Sequence, residues 1–323
     1  MTIHKNKGYD LFVGIDWSGA VGEYHHGIQV ACLTADASHP TLVKPPVGRA
    51  WSRQSVIDYL TKEAKYQNVL AGIDFAFAHP FLDQGGYYPG YRESPPDPSA
   101  LWQMVNQIGQ NHNDGAHYYG GVIFRHDDLG QYYNHHKSPP KNSDGSRRDL
   151  FVSRRRQTEI AAIEMHKRSP SPTFNCIGAA GVGTGSLAGM RILHHLSSIA
   201  HIWPFHSTGD MDPSAAYATE NHLTLVEIFP ALYFTMAGVS DKNKKSDPLG
   251  ALKQGLAYFD TSSTAKIASG LPDLDDLDAM ISAAALRHLH DPVEVFSIQN
   301  PDHKKAAAKE GWIFGVGGAR KAS

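Results

Sequence analysis

Two apolar stretches that close on the same three residues constrain this chain more than any other feature. Residues 11–20 read LFVGIDWSGA and residues 68–77 read NVLAGIDFAF. In each, a run with the character of a buried strand ends on Gly-Ile-Asp and passes to an aromatic side chain. Such a strand delivers a carboxylate to the rim of a sheet, and in open α/β sheets ligands bind in the crevice outside the carboxyl ends of the strands. A carboxylate removed from water without a partner is costly. Asp16 and Asp74 therefore each need a reason, and three are available: a metal ion, phosphate chemistry or a structural salt bridge.

Taken in order, the flanking sequence predicts a mixed sheet with helices. After the first strand, an apolar run over 26–34 and a shorter one within 41–48 (TLVKPPVG) suit an antiparallel meander. Ser52 caps a helix that places Val56, Ile57 and Leu60 on one face. The second Gly-Ile-Asp strand follows. From residue 79 to 156 the pattern loosens into Pro, Gly, Tyr and His, interrupted by one helical segment, PSALWQMVNQIGQ. This region reads as an insertion, part loop and part helix. A short helix is expected over 154–168. The glycine-rich stretch 178–189 (GAAGVGTGSLAG) leads into a helix for which Ser186 is the expected cap. Strands are expected at 202–205 and 223–229, helices at 249–259 and 275–290. The alternation is that of an α/β domain spanning residues 8–318, with tails at 1–7 and 319–323.

Composition narrows the function classes. A formal net charge of -2 provides no global basic field to draw the protein to nucleic acid, although a local basic cleft would escape that sum. Two cysteines, Cys32 and Cys176, make neither a disulfide framework nor a thiolate zinc site. No run approaches the ~20 apolar residues of a membrane span, and the opening residues lack an apolar signal region. The expectation is a cytoplasmic protein without a membrane partner.

The residues that point to chemistry are Asp16, Asp74, Asp275 and Asp278. Two-metal phosphodiester chemistry needs several carboxylates around divalent cations about 3.5–4 Å apart, and Mg²⁺ or Mn²⁺ suits hard oxygen ligands. Asp275 and Asp278 stand at i and i+3 of the expected helix, on one face, while Asp276 fits a role at the helix dipole. Glu227, on the 223–229 strand, reads equally as a further metal ligand or as half of a structural ion pair. Ser18, in the turn after Asp16, suits hydrogen bonding better than nucleophilic attack. His79, just past the Asp74 strand, is placed to handle protons or phosphate. Arg154, Arg155 and Arg156, with Arg147, Arg148, Lys137, Lys141, Tyr132 and Tyr133, form the one dense basic stretch. It reads equally as a surface for single-stranded nucleic acid or as a solvated face. The glycine-rich stretch has no Gly-Lys-Ser/Thr and departs from GxGxxG, so a turn with close helix packing explains it better than a phosphate loop.

In order along the chain, GIDWSG, AGIDFAF, the glycine-rich segment before LAG, VEIFP, DDLDAMISAAALRHL and EGWI resemble a widespread family of RNase H-like proteins described as predicted nucleases, a domain of unknown function. The Asp275–Asp278 helix start is also similar to that of Holliday-junction resolvases. The resemblance implies an RNase H-like mixed sheet, a three-strand antiparallel meander followed by parallel strands and flanked by helices. It implies a divalent-metal-dependent hydrolase of phosphodiester bonds in a nucleic acid or nucleotide. Two other readings remain open: an actin-like nucleotide-binding phosphotransferase, which needs two such halves, and a catalytically silent scaffold that binds a partner through the insertion.

Overall fold

The structure, a computed structural model, describes residues 8–136, 150–177, 181–206, 222–261, 273–290, 296 and 298–317. Its centre is a six-stranded sheet. Strands β1 (Leu11–Asp16), β3 (Gln29–Thr34), β4 (Thr41–Leu42), β6 (Val69–Ile73), β7 (His201–Ile202) and β8 (Leu223–Glu227) lie in the order β4-β3-β1-β6-β8-β7. β1 pairs antiparallel with β3, and β3 with β4. β1, β6, β8 and β7 run parallel. The short strands β2 (Tyr24–His25) and β5 (Trp51–Ser52) pair separately. The expected third strand shrinks to two residues, because Pro45 and Pro46 lie just beyond and cannot donate to a ladder.

Helices cover both faces, which is why β6, β7 and β8 are buried along their whole length and mostly apolar. On one face Leu11, Val13 and Ile15 pack with α1 (Arg53–Glu63), α2 (Pro98–Gln110) and α4 (Val182–Leu196). On the other, Phe12, Leu70 and Val226 pack with α5 (Pro230–Met236), α7 (Pro248–Tyr258) and α8 (Leu274–Leu289). Helices α3 (Gln157–His166) and α9 (Pro301–Glu310) add Ala161, Ala162 and Ala307 to this second layer, whereas α6 (Asp241–Ser246) buries no residue. Ser52 caps α1 through a reciprocal pair with Ser55, as its sequence predicts.

Two expectations shift. Ser186 does not cap α4; the helix starts a turn earlier, at Val182 after Gly181, and the Ser186 hydroxyl donates to the Val182 carbonyl inside it. Glycines allow this early start to pack: a Cβ at Gly183 would lie 2.3 Å from the Thr173 carbonyl oxygen, and one at Gly189 would strike the Phe75 ring at 2.3 Å. Residues 178–180 lie outside the described residues. The 79–156 region is built into the core: Tyr87, Tyr88, Trp102, Phe124 and Tyr133 belong to the same buried cluster as β1. Beyond α2 it folds into three short 3-10 turns over 113–132. No helix among the described residues is long and apolar enough to cross a membrane.

Candidate active site

Side-chain alternation decides which carboxylates meet. Along β1, residues 11, 13 and 15 face the α1/α4 layer, so 12, 14 and 16 face α8. Along β6 the same parity turns Leu70 and Gly72 to α8, and Asp74 continues it. The two strands are parallel and in register, Ile15 beside Ile73, and the Asp74 amide donates to the Ile15 carbonyl. Asp16 and Asp74 therefore leave adjacent strand ends on the same face.

Helix α8 supplies the other two. Its flank of Ala279, Ser282 and Ala283 lies against Gly14, where a Cβ would come within 2.2 Å of the Ala279 carbonyl oxygen and 2.6 Å of the Ala283 amide. Only glycine permits that approach. The contact fixes the first turn of α8 over the end of β1. Asp273 and Asp276 cap this helix reciprocally, so Asp276 is spent on the helix end. Asp275 and Asp278 are left for the strand ends. The carboxyls of Asp275 and Asp16 lie within hydrogen-bonding reach of each other. Burial, then the charges of Asp74, Asp278 and Asp275, hold the Asp16 carboxyl well above the ordinary range. Burial, then Asp278 and Glu227, do the same for Asp74. Burial pushes Asp278 up to about 6, against the opposing pull of Lys244.

Four carboxylates thus converge where nothing but Lys244, among the described residues, offers a cation in direct contact. Lys244 on α6 donates through Nζ to both carboxylate oxygens of Asp278, at 2.5 and 2.6 Å. Nothing in the sequence flagged it, since DKNKKS reads as a solvated basic helix. The donor set, all carboxylate oxygen, fits a hard divalent cation. As the side chains stand, no three His, Cys, Asp or Glu among the described residues are arranged to hold one ion.

Beside the carboxylates lies a cleft of about 470 Å³, bordered by Trp17, Asp74, Cys176, Thr184 and Gly185. The turn after β1 forms one wall. It is pressed against the start of α4, with Gly19 against Gly185 and the Trp17 indole donating to the Gly185 carbonyl at 3.1 Å. Ser18 sits in this turn; its hydroxyl accepts from the Ala20 amide. A Cβ at Gly27 would lie 3.6 Å from Asp275 and 3.7 Å from Ser18, so Ser18 is a neighbour of the carboxylates. No family model, curated protein or solved structure matches this chain.

The remaining candidates are structural. Glu227 has the opposite strand parity, that of Leu225, and both its oxygens are taken by the Arg156 guanidinium at 2.5 and 2.7 Å. One oxygen also accepts from the Phe77 amide. Breaking a buried pair of this kind costs about 3–5 kcal/mol, so Glu227 is held as the ion-pair partner and not as a ligand. Arg156, clamped further by Glu159, is 2% exposed; it and Glu227 border the cleft, but with their charges already spent on each other. Arg154 is likewise buried, bidentate to Asp83 and bonded to three carbonyls. Arg155 donates to the Pro170 carbonyl. The basic stretch therefore dissolves into folding contacts here; Lys137, Lys141, Arg147 and Arg148 lie outside the described residues. His79 is wholly buried, with Thr173 on one ring nitrogen at 2.9 Å and Tyr133 on the other at 2.8 Å. Burial, with Arg154 and Arg156 nearby, holds its pKa well below the usual value, so it stays neutral and cut off from the cleft.

Proposed function

We propose that this protein is a divalent-metal-dependent hydrolase of phosphodiester bonds, RNase H-like in architecture, acting on a nucleic acid or nucleotide. The observation that carries the reading is the convergence of Asp16, Asp74, Asp275 and Asp278 from three separate elements at one end of the sheet, with Lys244 the one cation in direct contact among the described residues. A carboxylate set of that kind is unfavourable on its own account. Structural ion pairs do not require it, as the complete pairing of Glu227 and Arg156 in the same molecule illustrates.

The strand order supports the architectural part. An antiparallel β1-β3-β4 meander continued by parallel β6 and β8 is the arrangement expected of an RNase H-like sheet. One such sheet occurs among the described residues, which favours this reading over an actin-like phosphotransferase built from two.

Mg²⁺ or Mn²⁺ would supply charge stabilisation of the phosphate and a water made acidic enough to attack near neutral pH. Asp16, Asp74, Asp275 and Asp278 are the residues that would hold it, Asp278 giving up Lys244 in exchange. Lys244, if released, would offer a positive charge to a phosphate bound there. Ser18 would hydrogen-bond an oxygen of the substrate, and the cleft along Trp17, Thr184 and Gly185 would lead the substrate to Asp74. The test is cleavage of single- and double-stranded DNA and RNA and of a nucleotide diester with Mn²⁺, for wild type and Asp16→Asn. Mn²⁺-dependent cleavage lost in a folded Asp16→Asn supports the reading; cleavage that survives at the wild-type rate removes it.

A further inference from the structure

Away from the carboxylates, at the far end of α4, a second cavity of about 710 Å³ opens between α2, α4 and the 113–118 turn. Arg191, Tyr118 and the histidines His112, His117, His194 and His195 border it, and no Asp or Glu does. Arg191 is 4% exposed. Its Nη1 donates to the Gly115 and Tyr119 carbonyls at 2.6 and 2.8 Å, and its Nε to Asn106 at 3.4 Å. Nη2 has no acceptor among the described residues, yet it is not sealed from solvent. Behind it lies Arg53, also buried, whose guanidinium donates to the carbonyls of Ser18, Ala20 and His117 and lies over the Trp17 ring at 5.9 Å. Two arginines within electrostatic reach, with no carboxylate partner for either among the described residues, make an unusual interior. Burial and the Arg191 charge bring Arg53 down to about 10.

The backbone has been cleared to seat this charge. A Cβ at Gly109 would lie 2.5 Å from the Arg191 guanidinium carbon, and one at Gly115 would meet the Gly109 carbonyl oxygen. His112 accepts from the Asp114 amide through Nδ1, which leaves Nε2–H as its donor.

We propose that this cavity is a phosphate-binding pocket, with Arg191 as its anchor and the four histidines as its rim. Guanidinium and imidazole donors arriving from several sides match a tetrahedral anion, and a cavity this large admits a phosphate that belongs to a larger molecule. The pocket stands independently of the chemistry assigned to the carboxylates.

Calorimetric titration in EDTA, which removes any metal-mediated binding, tests it with inorganic phosphate as the probe. Wild type is expected to bind, folded Arg191→Gln to lose binding, and His195→Glu, altered at an exposed rim position, to bind at least roughly tenfold more weakly. Competition by a short oligonucleotide without terminal phosphates assigns the pocket to a strand backbone; lack of competition assigns it to a small phosphate or phosphate monoester. Absence of phosphate binding by wild type overturns the proposal. So does retention in a folded Arg191→Gln, and where that variant does not fold, full retention in His195→Glu overturns it.

Discussion

Asp74 shows what the site costs a chain that must also fold. Its carboxylate is desolvated and lies near Asp278 and Glu227, so the charged form is disfavoured in the native state. A carboxyl whose native pKa is raised binds a proton more readily folded than unfolded. Its presence therefore lowers stability as pH rises from about the ordinary carboxylate value of 3.8 through its native pKa. Asp74→Asn removes that penalty while keeping the shape. The metal-free variant should melt higher than wild type at pH 7, and the gap should close as pH approaches 4. Thermal unfolding in EDTA across that range checks it. A variant less stable than wild type at pH 7 would mean that Asp74 makes favourable contacts the fold depends on. Asp16 and Asp74 were legible in the sequence, because an apolar run closing on the repeated Gly-Ile-Asp marks the end of a buried strand; the face each carboxylate takes came only with the register of β1 against β6. Glu227 was half legible. The ion pair was one of its two readings, but its partner Arg156 lies 71 residues away, and no local pattern encodes a pairing at that distance. His79 misled for a related reason: proximity along the chain to Asp74 says nothing of the Thr173 and Tyr133 side chains that close around it.

At the scale of elements, the contact between β1 and α8 carries the argument. The i, i+3 spacing of Asp275 and Asp278 was readable. What was not readable is that Gly14 and the Ala279/Ala283 flank bring that helix down onto that strand, since a glycine within an apolar run has many explanations. Gly14→Ala should force α8 away from β1, with an overpacking cost of roughly 1–3 kcal/mol. It should also separate the two pairs of carboxylates. Urea unfolding combined with the cleavage assay tests this: both stability and Mn²⁺-dependent activity should fall. A Gly14→Ala protein as stable and as active as wild type would show that the close approach has no functional weight. The 154–156 arginines illustrate the limit of reading charge from sequence. Three adjacent cations look like a binding face until the fold turns two of them inward onto Asp83, Glu159 and Glu227.

Across the whole molecule, the sheet brings acidic side chains to the carboxyl ends of β1 and β6, and α4 runs from the cleft beside them to the Arg191 cavity. The α/β class, the meander and most helices were expected from periodicity. The closeness of Lys244 to Asp278 and of Arg191 to Arg53 depends on tertiary packing and left no mark on spacing. The proposed function stands on the four aspartates as the seat of a divalent cation. Calorimetric titration of wild type and of Asp16→Asn with Mn²⁺ measures it most directly. Wild type is expected to bind Mn²⁺ saturably, with binding lost or weakened at least roughly tenfold in a folded Asp16→Asn; equal Mn²⁺ affinity in the two proteins, or none in either, would remove the proposed metal site.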